Sequence, residues 1–350
     1  MNGETIRRAT TADDLQAKCE RPKCPVIVET DDLLHITEAD VRNLLPLSKA
    51  VELAREAYVK LANREAVNPE RILLTVPGGV SMFFMPAYVS GQRTVSIKIA
   101  RVNPENPARS LPTVMSEILV YDSRSGVWLA EIPGETLTAI RTAASSAVAT
   151  DVLAQRDVKS LGLLGTGRQA EAHVPAIQQV RDISRVVIYS RERARREAFA
   201  KQISRDCEVE TLPADSPEQV VKQSDLIVTA TTSHTPLFKG ELVKKGTQVN
   251  AIGAAEPDAR EVDTELVKRS ILVVDSRAQA LSTYGDIMIP IREKVIEETH
   301  ILAELGELLV KKRSISRDPS AITLFKSGGL AVLDAVAADY IVSQVQDNGL

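Results

Sequence analysis

Glycines and small residues follow an apolar run in a pattern that suits the binding of a phosphate group. Residues 159–171 read Lys-Ser-Leu-Gly-Leu-Leu-Gly-Thr-Gly-Arg-Gln-Ala-Glu, an apolar strand followed by a glycine turn and the start of a helix. We expect Gly165 to form the tight turn, Gly167 to let the backbone approach a pyrophosphate, and Ala170 to keep the helix close to the sheet. The anion then lies at the helix N-terminus, where free N–H groups and the helix dipole favour negative charge. Taken alone, such a motif also fits a plain strand-to-helix turn.

The apolar runs around this motif have the spacing of alternating strands and helices. Runs rich in Val and Ile occur at residues 185–190, 225–231, 248–253 and 271–275, and a helical stretch at 192–203 separates the first two. Such short, continuous runs suit a parallel sheet that is covered on both faces. We therefore predict a Rossmann doubly wound parallel sheet of the α/β class, which forms a dinucleotide-binding domain over residues 149–320.

The end of the second predicted strand indicates which dinucleotide binds. In NAD enzymes of this fold, an Asp or Glu at this place accepts hydrogen bonds from the ribose hydroxyls. Here the strand ends in Ser190 and Arg191, a hydroxyl and a guanidinium that suit a 2′-phosphate. This pattern favours NADP(H), and NAD(H) stays possible. The arginines that follow, Arg193, Arg195 and Arg196, also fit a solvated helix face.

The first half of the chain has a different organisation. Residues 1–25 are polar and lack an apolar period, so we expect a flexible tail. A helix start near Thr37 and an apolar stripe from Ala50 to Leu61 predict amphipathic helices. Between residues 71 and 131, strand-like runs separated by Pro, Gly and Ser turns predict an antiparallel sheet. These elements form a second, α+β domain at residues 26–148.

Composition excludes several classes of protein. The 350 residues carry 43 Lys and Arg and 47 Asp and Glu, a net charge of −4, which gives no basic footprint for nucleic acid or a membrane surface. No apolar run approaches the ~20 residues of a membrane span, so we expect a cytoplasmic protein. Cys19, Cys24 and Cys207 provide neither a disulfide framework nor a zinc signature. The 4 histidines lie far apart, and neither a metal site nor a hydrolase site is expected.

A series of motifs resembles, in its order, the ornithine cyclodeaminase and mu-crystallin family. The motifs are Lys98 within a strand, Leu-Pro-Thr-Val at 111–114, Arg-Thr-Ala-Ala at 141–144, Gly-Thr-Gly-Arg-Gln-Ala at 165–170, Ala-Ile-Gly-Ala at 251–254 with Pro257, Asp258, Arg260 and Glu261, Val-Asp-Ser at 274–276, and Phe-Lys-Ser-Gly-Gly-Leu-Ala at 325–331. The resemblance covers the chain from about Val26 to its end.

This resemblance implies a homodimer of two-domain subunits. The first domain, residues 26–148 completed by residues 321–350, is expected to bind the substrate and to form the subunit interface. The Rossmann domain is expected to bind the nicotinamide cofactor. A small imino or amino acid then lies between the two domains, against the nicotinamide ring.

The resemblance also implies roles for individual residues. Arg71 and Lys98 match positions that hold the substrate carboxylate, which a guanidinium and an ammonium suit, and Lys98 is in addition a candidate for proton transfer. Gly328, together with Ser327, matches a segment that closes over the substrate and the nicotinamide. The matched cofactor contacts are Thr113, Arg141, Gly165, Thr166, Gly167, Arg168, Gln169, Ala170, Thr231, Ile252 and Ser327. Without the resemblance, Lys98 also fits an exposed strand residue, and Thr231 and Ile252 fit plain sheet residues.

One departure from the family separates its branches. Cyclodeaminases resemble one another in a Gly-Gly-Asp-Cys-Pro-Gly-Lys segment whose Asp performs acid and base chemistry, whereas residues 253–259 here read Gly-Ala-Ala-Glu-Pro-Asp-Ala. Ala255 stands at the position of that Asp, and a methyl group cannot transfer a proton. Together with the missing acid after the second strand, this favours the mu-crystallin, or ketimine reductase, branch.

These observations predict an NAD(P)H-dependent oxidoreductase that acts on the C=N or CH–NH bond of a small imino or amino acid. Pyrroline-2-carboxylate and piperideine-2-carboxylate are the leading candidate substrates, with the cofactor supplying the hydride chemistry and the protein supplying alignment and charge. Two alternatives remain. One is an NAD-dependent ornithine cyclodeaminase that releases ammonia, and the other is a non-catalytic protein that binds NADPH or a small ligand.

Overall fold

Two β-sheets form the framework of the protein. The computed structural model describes residues 33–315 and 318–348. The tail predicted at residues 1–25, with Cys19 and Cys24, lies outside these described residues. Within them, one sheet is mainly antiparallel and the other is parallel throughout.

The mainly antiparallel sheet uses the first half of the chain. Its strands are β1 (Leu34–His35), β2 (Ala66–Val67), β3 (Ile72–Thr75), β4 (Ser81–Val89), β5 (Thr94–Val102), β6 (Val114–Asp122) and β7 (Trp128–Pro133). Their order is β1-β7-β6-β5-β4-β2, with β3 paired to β4, and only the β1–β7 pair is parallel among the pairs described. Alternate side chains of β4 and β5 are buried, which gives this sheet one face toward the core.

Two helices that precede the main strands match the predicted helical segments. They are α1 (Glu38–Leu44) and α2 (Leu47–Ala62). Thr37 begins α1 with a capping box, because its hydroxyl accepts from Asp40 N at 3.2 Å and the Asp40 carboxylate accepts from Thr37 N at 2.9 Å. The apolar stripe of α2 is buried, from Ala50 to Tyr58.

The parallel sheet contains eight strands. They are β8 (Ser160–Leu164), β9 (Arg185–Tyr189), β10 (Glu210–Pro213), β11 (Leu226–Thr229), β12 (Gln248–Ala251), β13 (Ser270–Val274), β14 (Ile301–Glu304) and β15 (Ile322–Lys326). The strand order is β10-β9-β8-β11-β12-β15-β13-β14. The connecting helices are α4 (Arg168–Gln178), α5 (Arg193–Asp206), α6 (Pro217–Gln223), α7 (Thr264–Arg269), α8 (Arg277–Ser282), α9 (Gly285–Arg292) and α10 (Leu305–Leu309). The first five strands therefore have the 3-2-1-4-5 order of a Rossmann fold.

Helix α3 (Gly134–Leu153) connects the two sheets. Ala143, Ala144 and Ala147 are fully buried in it, and such small side chains allow α2 and α4 to pack closely against the helix. Its C-terminal carbonyl groups are satisfied by the buried guanidinium of Arg181, which donates to the carbonyls of residues 150, 151 and 154. The predicted domain limit at 148/149 falls within this helix.

The last segment of the chain contributes to both sheets. Strand β15 lies between β12 and β13, and all five of its side chains are buried. Helix α11 (Ala331–Asn348) follows it and packs against β4 and β5 of the other sheet. The segment assigned to the first domain, residues 321–350, therefore begins with a strand of the parallel sheet, and the domain limits stay predictions.

The expectations drawn from composition concern membrane spans, metal sites and cysteines. No helix in residues 33–315 or 318–348 is both long and apolar enough to cross a membrane. In the same residues, no group of three or more His, Cys, Asp or Glu side chains is placed to hold a metal ion. Burial raises the pKa of the Cys207 thiol to about 11, so this thiol stays protonated near neutral pH.

Candidate active site

A cavity of about 570 Å³ lies at the carboxyl ends of β8, β9 and β11. The strand order reverses between β8 and β11, which is where dinucleotides bind in folds of this type. Predicted cofactor residues that line this cavity are Gly165, Thr166, Gly167, Ser190, Arg191 and Thr231. The structure thus brings together residues that are far apart in the sequence, at the edge where the ends of parallel strands meet.

The glycine turn after β8 has two differently constrained positions. Gly165 has a φ of +120°, and a Cβ there would collide with the carbonyl oxygen of Ala230. Gly167 begins α4 with a φ of −93°, and a Cβ there would meet no atom within 4 Å. The space beside Gly167 is therefore open for a ligand, whereas Gly165 is required by the turn itself.

The other residues of this motif differ in their contacts. Ala170 is fully buried between α4 and the sheet. Arg168 pairs with Glu135 at the start of α3, and its side chain is 65% exposed. Gln169 has a buried Oε1 without a hydrogen-bond partner among the described residues. An unpaired buried amide oxygen calls for a donor from a bound molecule or water.

His173 fixes the start of α4 against α3. Its Nδ1 lies 2.5 Å from the carbonyl oxygen of Gln169, and its Nε2 lies 2.9 Å from Ser146 Oγ. Because a carbonyl can only accept, Nδ1 carries the proton and Nε2 accepts from the Ser146 hydroxyl. Burial lowers the pKa of His173 to about 4, against a smaller opposite effect of the hydrogen bond from its ring to Gln169.

This histidine makes the stability of the fold depend on pH. The pKa of His173 is about 4 in the folded chain and about 6.5 in an unfolded chain, so only the unfolded chain binds the proton between these values. We expect the free energy of unfolding to fall by about 3 kcal/mol as the pH decreases through this window. Urea unfolding from pH 7.5 to 4 measures the loss. His173→Gln should show a smaller pH dependence, and an unchanged slope would contradict the assignment.

The residues after β9 divide into two groups. Ser190, Arg191 and Arg195 line the cavity. Arg193 instead pairs with Glu197 on the exposed side of α5, and Arg196 is buried against Asp215. Glu192 also lines the cavity and provides a carboxylate beside the two guanidinium groups.

Thr231 and Ile252 follow β11 and β12, and a buried carboxylate organises this region. Glu261 accepts from Thr231 N, Thr231 Oγ1, Thr229 Oγ1 and Gly253 N, each at 2.7 Å. Glu261 therefore fixes the ends of both strands. Ile252 is an apolar residue of the core cluster and does not line the cavity.

Three cations, Lys98, Arg141 and Arg71, lie together near strand β5 of the mainly antiparallel sheet. Lys98 is 3% exposed, donates to Thr138 Oγ1 and lies 3.2 Å from Asp334 Oδ1. Arg141 Nε donates to the same oxygen at 3.1 Å. Arg71 is close enough to lower the pKa of Lys98, and its Nε is buried without a partner among the described atoms. Asp334 is the one carboxylate among the charged groups that affect Lys98.

The segment after β15 is held between these cations and the parallel sheet. Asp275 Oδ2 accepts from Ser327 Oγ at 2.7 Å, Gly328 N at 3.1 Å and Gly329 N at 3.0 Å. On its other side, Arg71 donates to the carbonyl of Gly329 at 3.2 Å. The structure therefore places Ser327 and Gly328 beside the predicted carboxylate-binding residues, with Asp275 as a support.

Sequence reasoning and the structure differ at several positions. Thr113 is exposed in the turn before β6 and does not line the cavity. The acids that tie the site together, Glu261, Asp275 and Asp334, received no role from the sequence. A signal existed for Asp275, because it directly follows a buried parallel strand.

The arrangement meets the requirements of a dinucleotide and a small acid. The cavity and the open space beside Gly167 suit the dinucleotide. Lys98 and Arg141 share one carboxylate, Asp334, so this pair has positive charge available for an anion. A nicotinamide, when bound, supplies hydride chemistry. Residues at such a site would bind and orient the two reactants and shield their charged groups from water.

The sequence and the fold were compared with known proteins. The profile of the ornithine cyclodeaminase/mu-crystallin family matches residues 32–349. The chain is 33% identical over 320 residues to the Delta(1)-pyrroline-2-carboxylate reductase of Bacillus cereus strain ATCC 14579, covering 91% of this chain and 98% of that protein. The Thermococcus litoralis Delta(1)-pyrroline-2-carboxylate reductase, solved with NADH and L-proline, has a TM-score of 0.88, 34% identity and coverage of 91% and 99%. An archaeal alanine dehydrogenase dimer with bound NAD has a TM-score of 0.85, 29% identity and coverage of 91% and 97%.

These matches agree with the fold and the family expected from the motifs. The α/β fold with a Rossmann-type parallel sheet is confirmed by both solved structures. The family match includes all of the strands and helices described above. The chain belongs to the ornithine cyclodeaminase/mu-crystallin family.

Proposed function

We propose that this protein is a nicotinamide-dependent reductase of a small cyclic imino acid, with pyrroline-2-carboxylate or piperideine-2-carboxylate as substrate. The pairing of Lys98 and Arg141 with one carboxylate, Asp334, and the presence of Arg71 near Lys98 carry the proposal. The excess positive charge suits the α-carboxylate of such a substrate. The relatives named above as pyrroline-2-carboxylate reductases support the same substrate class.

Within this proposal the substrate carboxylate binds to Arg71 and Lys98. The planar guanidinium of Arg71 orients the carboxylate through parallel hydrogen bonds, and the ammonium of Lys98 adds a second charge. Gly328 lies at the same place and closes over the bound acid. Because Lys98 is almost fully buried, its charge acts in a poorly hydrated environment where electrostatic interactions are strong.

The surroundings of Ala255 argue against the cyclodeaminase alternative. The neighbouring acids do not replace the missing carboxylate, because Glu256 is exposed and Asp258 is exposed and pairs with Arg292. The buried acids near the cluster, Asp275 and Asp334, are already engaged by the segment after β15 and by the cations. Ring closure of ornithine with loss of ammonia thus has no free acid–base group at this position.

A substrate panel tests the proposal. Cyclic imino acids, the corresponding amino acids and ornithine are each assayed for a change in nicotinamide absorbance and for release of ammonia. The proposal expects NADPH oxidation with a cyclic imino acid and no ammonia from ornithine. Ornithine-dependent ammonia release with proline formation would establish the cyclodeaminase instead. NADPH binding without turnover on any substrate would favour a binding protein.

For the cofactor, we propose a preference for NADPH over NADH. Ser190 and Arg191 support it, and Glu192 is the competing group, because its carboxylate could accept from the ribose hydroxyls of NADH. We expect NADPH to bind about 10- to 100-fold more tightly than NADH, the effect of one charge-assisted contact, and Arg191→Ala to narrow this difference. Fluorescence titration gives both affinities. Arg193→Ala is the matched control, since its guanidinium pairs with Glu197. Equal affinities in the parent protein would refute the preference.

We also propose a homodimer, with the mainly antiparallel sheet at its interface. Ile72, Leu73 and Leu74 of β3 are 62%, 55% and 52% exposed, and Val114 at the start of β6 is 50% exposed. Such apolar exposure on a strand commonly marks an interaction surface. The archaeal alanine dehydrogenase solved as a dimer supports this assembly. Sedimentation equilibrium distinguishes a dimer from a monomer, and Leu73→Asp should weaken the dimer.

A further inference from the structure

Asp334 occupies an unusual position in the first turn of α11. Its side chain is 1% exposed, and a single oxygen, Oδ1, contacts both Lys98 Nζ at 3.2 Å and Arg141 Nε at 3.1 Å. The second oxygen, Oδ2, is buried without a hydrogen-bond partner among the described atoms. A buried carboxylate with an unused oxygen is costly, so the fold tolerates it only where the remaining contacts matter.

The two cations reach Asp334 from different elements. Lys98 lies on β5 of the first sheet, and Arg141 lies on α3, which leads toward the parallel sheet. Without the carboxylate, two buried cations would repel each other across a short distance. Asp334 attracts both cations and so offsets this repulsion. Because it carries one negative charge against their two, a net positive charge remains for a ligand.

We propose that Asp334 is a positioning residue for the reduction, which holds Lys98 so that its ammonium faces the carboxylate of the imino acid and holds Arg141 beside it. This inference rests on the proposed function. Asp334 contacts these two cations through Oδ1 and, in this proposal, does not itself bind the substrate. It acts by fixing the position of the Lys98 side chain and by favouring the charged form of this amine.

The charged groups around Lys98 fit this role. Asp334 faces Lys98 from α11, Arg141 faces it from α3, and Arg71 lies just before β3. The residues paired with Lys98 on β4 and β6 are Met85 and Ile118, which carry no charge. Burial lowers the pKa of Lys98 to about 8, Asp334 opposes this change, and both arginines add to it. Asp334 therefore favours the charged form of Lys98.

The test compares Asp334→Asn with Asp339→Asn. Asp339 lies on the same helix and accepts one hydrogen bond, from Thr94 Oγ1 at 2.7 Å, so its variant controls for loss of a carboxylate on α11. We expect Asp334→Asn to lower kcat/KM for the imino acid about 10- to 100-fold, with NADPH affinity retained. Its activity should also decline at a lower pH than that of the parent, because loss of the carboxylate lowers the Lys98 pKa further. Asp339→Asn should match the parent in both respects.

A second readout does not depend on turnover. NMR of protein with ¹³C-labelled lysine, with the Lys98 signal identified through Lys98→Arg, reports the titration of this amine directly. A Lys98 pKa that falls in Asp334→Asn but not in Asp339→Asn supports the role of Asp334 toward Lys98. A parent protein that reduces no imino acid would reject the proposed function, and this outcome is separate from the titration. If Asp334→Asn does not fold, Asp334→Glu keeps the charge but moves it, and a displaced pH profile is expected. Parent-like kinetics and an unchanged Lys98 titration would overturn the proposal.

Discussion

Replacing Lys98 by methionine, or Arg71 by leucine, is expected to lower kcat/KM for a cyclic imino acid by up to about a hundredfold. Each variant removes a charge-assisted hydrogen bond to the substrate carboxylate, a contact that contributes about 1.5–3 kcal/mol. The affinity for NADPH should stay nearly unchanged, because the lost contact is to the substrate. Steady-state kinetics and fluorescence titration of NADPH measure the two quantities separately.

Arg101→Met is the matched control for these variants. Arg101 lies on the same strand as Lys98, pairs with Glu117 and is 36% exposed at its side chain. A partly exposed pair of this kind contributes about 0–1 kcal/mol, so the control should retain activity. A large loss of NADPH affinity in Lys98→Met or Arg71→Leu would place these residues in the nucleotide site. Normal turnover in both variants would remove them from the mechanism.

Alanine at Gly165 and alanine at Gly167 are expected to have different consequences. At Gly165 the positive φ and the carbonyl of Ala230 oppose a Cβ, so Gly165→Ala should lower both the thermal stability and the NADPH affinity. At Gly167 no described residue beyond its neighbours in the chain lies within 4 Å of the added Cβ. Gly167→Ala should therefore keep its stability yet weaken NADPH binding about 10- to 100-fold, because the methyl group occupies the space of the pyrophosphate.

Thermal unfolding with and without NADPH separates the two effects. The apo proteins report the cost of each substitution to the fold, and the increase in Tm with NADPH reports binding. The two variants control for each other, since each adds one methyl group to the same turn. An unchanged NADPH affinity in Gly167→Ala would contradict the placement of the pyrophosphate beside this residue.

Much of the framework could be predicted because its signals are local. The glycine turn, the buried Val- and Ile-rich strands and the stripe of α2 each depend on residues a few positions apart. The fold class and the family, which follow from these signals and from the ordered motifs, are confirmed. The prediction of an oxidoreductase acting on C=N bonds is likewise confirmed by its reductase relatives. The roles of individual site residues stay predictions.

The strands that sequence reasoning missed lack such local signals. β10 is a short edge strand that contains Glu210, Thr211 and a proline, and only its pairing with β9 makes it a strand. β15 ends in Lys326, a charged residue that is completely buried. Its ammonium pairs with Asp286 at 2.7 Å, and this pair compensates the burial of the charge. No hydrophobic periodicity in the sequence predicts that a lysine is buried.

The supporting acids were missed for a related reason. Asp334 and Lys98 are 236 residues apart, so their contact exists only after α11 has packed against β5. In the sequence, Asp334 is one acid near the start of an apolar helix, a place where acids are common for local reasons. The function of such a residue depends on what the rest of the fold brings to it.

The position of β15 has a consequence for how the protein is made. The chain enters the middle of the parallel sheet last, since β15 is synthesised after β12, β13 and β14 but lies between β12 and β13. On the ribosome, β12 and β13 therefore each keep an unpaired edge until residue 326 has emerged. The order of synthesis and the order of assembly differ, and a nascent chain that stalls before Ile322 would expose aggregation-prone strand edges at the centre of its own fold.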